Sequence, residues 1–214
     1  MSNHYHAVVD DARHQQHFGS ALPTGRAEPD LWPGSIGGFI RLPPKAAPQA
    51  GTASEALSGV FGMIPPWSGA LHAMHATHNA RAETAGQRDS FREAWHKAQH
   101  CIIPAEAIFE AYLRGFKSIP IRISLANGQP MGIAGLWSCH ESSTGPVYSY
   151  TMLSINADNH ALMCRLREPL YEKRMVVILP PEHYQDWLQA PAQDSMDFMQ
   201  PYPVQGLHAI ALDT

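Results

Sequence analysis

The sequence predicts an α+β fold in one domain: a mixed, mostly antiparallel and partly barrel-like sheet with a few short helices. Three observations lead there. The chain has 214 residues, enough for one sizeable core. Apolar runs of strand length recur along it, closed by Pro, Gly or polar clusters. Segments with helical spacing are few and short, which argues against a regular alternation of strands and helices.

In chain order, Tyr5 flanked by His4 and His6, then Ala7-Val8-Val9, predicts a first strand over 1–9, and Asp10 to Phe18 a short helix. Gly19 to Gly59 is rich in Pro, Gly and Ala; its prolines exclude a long helix, two short strands fit around Ser35–Leu42 and Gly59–Met63, and 47–54 reads as a loop tip. Val60 to Trp67 reads as a strand stopped by Pro65-Pro66. Ser90 to His100 predicts a helix, with Phe91 and Trp95 on one face and Ser90 and Glu93 at capping-box spacing. Cys101–Pro104 and Ala107–Tyr112 read as two buried strands around a turn. Ile119–Leu125, Met131–Trp137, Tyr148–Ile155 and Met175–Leu179 read as further strands, and Pro181–Leu188 as a short helix. The whole of 1–214 is expected to form one domain, with 189–214 packing on it as a C-terminal extension.

Composition removes several function classes. Hydrophobic residues make up 44% and charged residues 16%, the profile of a globular chain. A net charge of −4 argues against a generally basic nucleic-acid binder. No run of about 18 apolar residues is present, so no membrane helix is expected. The first residues lack the basic and apolar regions of a secretory signal. Cys101, Cys139 and Cys164 form no paired framework. Free thiols and a cytoplasmic setting follow as expectations.

Three groups of residues carry possible chemistry. His72, His75 and His78 lie three apart without a Cys pair or HExxH pattern, so no metal and no cofactor is expected; a polar loop is the simpler reading. Cys101 opens an apolar strand and reads as a small buried hydrophobe rather than a nucleophile. Glu110 stands alone in Ala-Ile-Phe-Glu-Ala-Tyr, where burial would suit it to general acid work; an ion pair with an arginine is its structural alternative. Asn79 and Arg81 alternate on one strand face, offering an amide and a phosphate fork, or simply turn chemistry and a surface salt bridge.

These residues also carry a resemblance. Asn79-Ala80-Arg81-Ala82-Glu83-Thr84 resembles the NAR-x-E-T motif of the SRAP family (SOS response-associated peptidase, the abasic-site processing proteins). Gly62 to Trp67 is similar to its WG-x-x-P-x-W, Cys101-Ile102-Ile103-Pro104-Ala105 with Phe109-Glu110 to its C-L/I-I/V-P-A and F-Y/F-E-W, and Ala134-Gly135-Leu136-Trp137 to AGLW. Glu172-Lys173-Arg174-Met175 to Leu179 resembles the RMPVIL strand in the EKRM form of one branch, and Met1-Ser2-Asn3-His4-Tyr5 that branch's opening MCNHY. The motifs stand in family order over about 1–188.

The resemblance implies a protein that binds single-stranded DNA and crosslinks to an abasic site, in an SOS, prophage or repair setting and associated with the nucleoid when bound. In the family the initiator Met is removed, the α-amine of Cys at position 2 attacks the ring-opened sugar aldehyde, and its thiol closes a thiazolidine. Carried over, the catalytic set is Ser2, Asn79, Glu110 and the slot of a family His, which is Arg167 here, with His160 upstream as a partial substitute; Tyr171 and Glu172 are alternatives for that slot. The DNA-binding set is His4, Trp67, Arg81 and Arg174, with Arg167 adding positive charge to a narrow cleft. Two positions depart from the pattern: Ser2 replaces Cys and Arg167 replaces His. A hydroxyl closes only an oxazolidine, so weakened, reversible crosslinking is expected. The alternative is a non-catalytic module that binds single-stranded DNA or a protein. A serine or cysteine peptidase finds no support, because G-x-S-x-G is absent.

Overall fold

The computed structural model of the protein describes residues 3–23, 28–43, 53–68, 77–114, 117–166 and 172–212. Among them, five strands close a ring: β3 (Ile36–Arg41), β4 (Glu55–Phe61), β6 (His100–Arg114), β8 (Met131–Ser142) and β9 (Gly145–Asn156). The ring runs β8-β9-β4-β3-β6 and returns to β8. Closure is partial, because β3 and β6 pair only at Ile40 and Ile102. The β4–β9 pairing is parallel and the other ring pairings are antiparallel. This is the α+β, mostly antiparallel, partly barrel-like arrangement expected.

Further strands hang on this ring. β1 (His4–Ala7) pairs with β6 and with the short β2 (Asp30–Leu31). β5 (Asn79–Arg81) runs parallel to β9. β7 (Lys117–Leu125) pairs with β6 on one side and β12 (Leu207–Ala211) on the other. β10 (Arg174–Val176) pairs with β9 while β11 (Ile178–Leu179) pairs with β8. Between them the Val177 N–H donates to Leu153 O at 2.9 Å and its carbonyl accepts from Ala134 N at 2.8 Å. The expected strand 175–179 is therefore a wedge that fills the gap where β8 and β9 diverge.

Two sequence expectations are corrected. Cys101–Pro104 and Ala107–Tyr112 are not two strands around a turn: β6 is one 15-residue strand. Pro104 does not break it, because it falls between the β3 partner at Ile102 and the β1 partner at Ala105, where no N–H is required. The helix expected over 90–100 is also shorter: α3 covers Arg92–His96, begins after Phe91 and has no side-chain cap, so Ser90 and Glu93 make no capping box. Ala98 takes a left-handed turn (φ 49°), which swings His100 into β6. α1 (Asp11–Phe18) is as expected, capped by the Asp10 carboxylate on Arg13 N and ended by Gly19 at φ 73°.

One apolar cluster, with Phe39, Phe61, Cys101, Ile103, Ile133, Tyr150 and Met152, belongs to the ring and reaches Tyr5 and Ile108. Within it the Tyr5 and Tyr150 hydroxyls hydrogen-bond at 2.6 Å. Burial raises both phenol pKa values, so both stay neutral. Gly37 makes room for the pair: a Cβ there would overlap the Tyr150 hydroxyl and lie 2.8 Å from that of Tyr5. The second cluster joins α3 to α4 (Tyr184–Gln189) through Trp95, Trp187 and Leu188. Buried His100 stacks on Trp187 at 3.8 Å and bonds Trp187 O and Ser195 Oγ, each at 2.9 Å. Residues 192–198 and 207–211 thus cover the domain from the C-terminal side, through Ser195 and β12.

Gly37→Ala is expected to lower unfolding free energy by about 2–3 kcal/mol, the cost of overpacking. In a Tyr150→Phe background the cost should shrink, because the hydroxyl it strikes is gone; a double-mutant cycle in urea checks this. Burial lowers the His100 pKa to about 4, so the fold favours its neutral ring. Its contribution is complete above about pH 6.5 and falls away as pH drops towards 4, by roughly 3 kcal/mol. Urea midpoints should decline across that window more steeply in the wild type than in His100→Gln.

Candidate functional site

The site is built on the N-terminal end of β1 and the middle of β6. His4 lies opposite Phe109, and Tyr5 opposite Ile108. Alternate residues of a strand share a face, so Glu110 shares that of Ile108 and lies buried, 5% exposed. β1 therefore leads back past Phe109 towards Glu110. The opposite face carries an aromatic pile: His4 is stacked on Trp32 and on Phe109, each at 4.1 Å, with ring planes within 8° and 12° of parallel. His4 Nε2 meets the Asp30 carboxylate at 2.8 Å.

A second candidate region is β5 and the turn after it. Asn79 is buried where β5 meets Met152 of β9. Rings join it to β1: His78, its neighbour, lies edge-on to Phe61, and Phe61 lies edge-on to Tyr5. Asn79 and Arg81 open onto a polar cleft of about 420 Å³, also lined by Thr77, Arg88, Ser90 and Phe91. Thr77 is fixed there by its hydroxyl, which donates to Met63 O at 2.8 Å. The Gly62–Trp67 segment runs alongside and ends in a turn where Ser68 N reaches Pro65 O. Trp67 is 65% exposed on that turn, and Pro66 O meets His140 Nδ1 at 3.2 Å.

The two arginines of the expected DNA-binding set differ. Arg81 is about half exposed and touches Glu172 at 3.1 Å. Arg174 is buried, with paired bonds to Glu83 at 2.7 and 3.1 Å, one to Glu172 at 2.8 Å and one to Ser154 O at 2.6 Å. Burial pushes the Glu83 carboxyl up, but the hydrogen bonds from Arg174 and from backbone N–H groups outweigh it and hold its pKa below the ordinary range. Hydrogen bonding from Arg174 does the same for Glu172. The positive charge expected from Arg174 in the cleft is thus offset by two carboxylates, and the residue ties β10 to the start of α2 (Ala82–Ala85).

His160 is engaged by hydrogen bonds to the backbone. Its Nδ1 accepts from the N–H groups of Leu162 and Met163 at 3.3 and 3.2 Å, which makes Nε2 the protonated nitrogen that donates to Tyr202 O at 2.9 Å. The ring ties the 157–166 turn to the C-terminal segment. Ser2, Arg167, Tyr171, His72, His75 and most of 47–54 lie outside the described residues. Among the described residues no group of three or more His, Cys, Asp or Glu is arranged to hold a metal ion. No helix there is long and apolar enough to cross a membrane. The sequence reading missed Asp30, Trp32 and Arg88; the Trp32-Pro33-Gly34 turn signal, which sets an aromatic at a turn, was the available cue for Trp32.

Comparison with known proteins adds the following. The chain matches the family model described as SOS response associated peptidase (SRAP) over residues 4–214. It is 31% identical over 154 residues to the abasic site processing protein YoqW of Bacillus subtilis, covering 70% of this chain and 65% of that one. It is 32% identical over 157 residues to the abasic site processing protein YoaM of the same organism, covering 70% and 64%. The matched region thus spans just under two thirds of these relatives. A crystal structure of a Bordetella bronchiseptica protein superposes with a TM-score of 0.89 at 45% identity over the whole of both chains. One from Bacteroides thetaiotaomicron shares the fold, with a TM-score of 0.77 at 18% identity over 99% and 92%.

Arg174→Leu is expected to lower unfolding free energy by about 2–3 kcal/mol, because it leaves Glu83 without its cation and Glu172 with Arg81 alone. Arg81→Leu, which removes an exposed pair, should stay within about 0.5 kcal/mol of the wild type. Urea denaturation at neutral pH compares the two.

Proposed function

The chain belongs to the SRAP family, and from that footing we propose that it processes abasic sites in single-stranded DNA through a reversible covalent link to its own N-terminus. The observation that carries the reading is the register of β1 on β6, which sets His4 opposite Phe109, one residue from buried Glu110. The names of the curated relatives point the same way.

Met removal ahead of Ser2 exposes an α-amine with a pKa near 8, partly unprotonated at neutral pH. The ring-opened abasic sugar presents an aldehyde. The amine nitrogen attacks that carbon, the carbonyl oxygen takes up a proton, and loss of water from the carbinolamine leaves an imine. Glu110, in its protonated form, supplies the proton that lets water leave; as carboxylate it takes one from the attacking nitrogen. Asn79 orients the sugar through its amide, and Arg81 holds a flanking phosphate. Trp67 stacks on or wedges beside a neighbouring base. The Ser2 hydroxyl adds to the imine to give an oxazolidine, which reverts by the same path. From the imine, loss of the sugar C2 proton expels the 3′ phosphate by β-elimination and cuts the strand.

The competing reading is a module that binds single-stranded DNA without reacting. Serine and arginine at the positions where the motifs carry cysteine and histidine favour it. One assay separates the two. The Met-processed protein is mixed with single-stranded DNA carrying an abasic site, then borohydride is added. A trapped adduct that vanishes when the N-terminus is blocked is expected. Ser2→Cys should convert it to an adduct that survives heating without borohydride, because a thiazolidine resists hydrolysis. Glu110→Gln should slow trapping by about 10²-fold or more, the weight of a general acid–base group. Binding without any adduct in the wild type would overturn the covalent reading.

A further inference from the structure

We propose that the outer face of the Trp32 indole is a stacking subsite for an unpaired nucleobase, the one beside the abasic sugar. The proposal rests on the functional reading above and deepens it by naming a second aromatic contact for the strand.

Trp32 is about half exposed, 49%, yet its backbone is fixed. In the Trp32–Ser35 turn, Ser35 N donates to Trp32 O at 2.8 Å and Trp32 N to Ser35 Oγ at 3.2 Å. The turn is tied to β4, with Gly34 N on Phe61 O at 2.7 Å and Phe61 N on Ser35 O at 2.8 Å. One face of the indole is covered by His4, whose ring is oriented by Asp30 and backed by Phe109. Gly34 takes a left-handed backbone (φ 95°), and a Cβ there would meet nothing within 4 Å among the described residues.

The result is a short column of nearly parallel rings, centroids 4.1 Å apart, that ends in the half-exposed indole. An indole fixed at its backbone, covered on one face by His4 and about half exposed, loses little freedom when a flat ring settles on it. A purine or pyrimidine is the ligand that matches that geometry without needing a hydrogen-bonding partner. The column stands on the same pair of strands as Glu110, on their other face: His4 and Phe109 are register partners, and Glu110 is the next residue of β6.

The test uses the full chain and a single-stranded oligonucleotide with a tetrahydrofuran abasic analogue, flanked by 2-aminopurine on its 5′ or 3′ side. The wild type is expected to quench one of the two probes. Trp32→Leu, which still covers His4 but offers no π face, should lose that quenching and bind about tenfold more weakly. Trp32→Phe should keep most of both. Urea midpoints of the two variants should agree, which removes a folding defect as the cause. Equal quenching and affinity in wild type and Trp32→Leu would overturn the subsite. If the wild type is still trapped by borohydride, the subsite alone falls; if the wild type binds no abasic DNA, the functional reading falls with it.

Discussion

The rest of the molecule depends on one buried contact, the hydrogen bond between the hydroxyls of Tyr5 and Tyr150. β1 is not a member of the closed ring, and it pairs with β6 over only four residues. A strand that short is weakly held by its ladder alone. Tyr5 supplies the missing anchor by crossing to β9 and lying edge-on against Phe61 of β4. Each phenol satisfies the other, so neither leaves an orphaned polar atom in an apolar interior. The price is a position without a side chain at Gly37, where a Cβ would strike both hydroxyl groups. Because strand side chains alternate, anchoring Tyr5 inwards sets His4 and His6 outwards, and the His4 pile follows from that choice.

The 15-residue strand β6 converts this anchor into a site. Its first half pairs with β8 and touches β3; its second half pairs with β1 and β7. The strand therefore changes partners midway, and Pro104 sits at the change. One end carries His100 into the cluster under α4, where the ring is held neutral. The other carries Glu110 to the face where Tyr5 is anchored. A displacement of one residue in this register would exchange Glu110 for Phe109 on the inner face and break the aromatic pile as well. The site and the ring are thus specified by the same pairing.

Much of this was legible in the residues. The alternation Ile119, Ile121, Ile123, Leu125 marked β7, and the polar Glu110 between apolar neighbours marked a buried carboxyl; both follow from local pattern. The failures have physical causes too. Pro104 read as a break, because a proline's missing N–H matters only where a partner strand needs it, and partners are non-local. The capping-box spacing of Ser90 and Glu93 met a chain already turning from Arg88, where the N–H groups of Phe91 and Arg92 bond to the Arg88 carbonyl. Arg174 was expected among the DNA contacts, and its motif says nothing of its pairing with Glu83, which lies 91 residues away in sequence. The Trp32 pile joins residues from three separate strands and turns, and no window of sequence contains it.

The same non-local pairing explains how an acidic chain would hold a polyanion on the proposed reading. Arg13 is bound to Glu106, Arg41 to Glu55 beneath the rings of Trp137 and Tyr148, and Arg174 to Glu83 and Glu172. These cations serve the fold. Around the cleft, Arg81 shares its charge with Glu172, and Arg88 lines the wall. If Arg81 and Arg88 are the phosphate contacts, counterion release would contribute little, and on the proposed reading affinity would come from stacked bases and from the covalent step. Such a surface gains little from intact duplex, whose bases are already stacked. On the proposed reading it would discriminate for a strand that is single and damaged, where a base lies free beside a missing one. A net charge of −4 is then compatible with DNA as the substrate, because it weakens non-specific binding while leaving the ring contacts untouched.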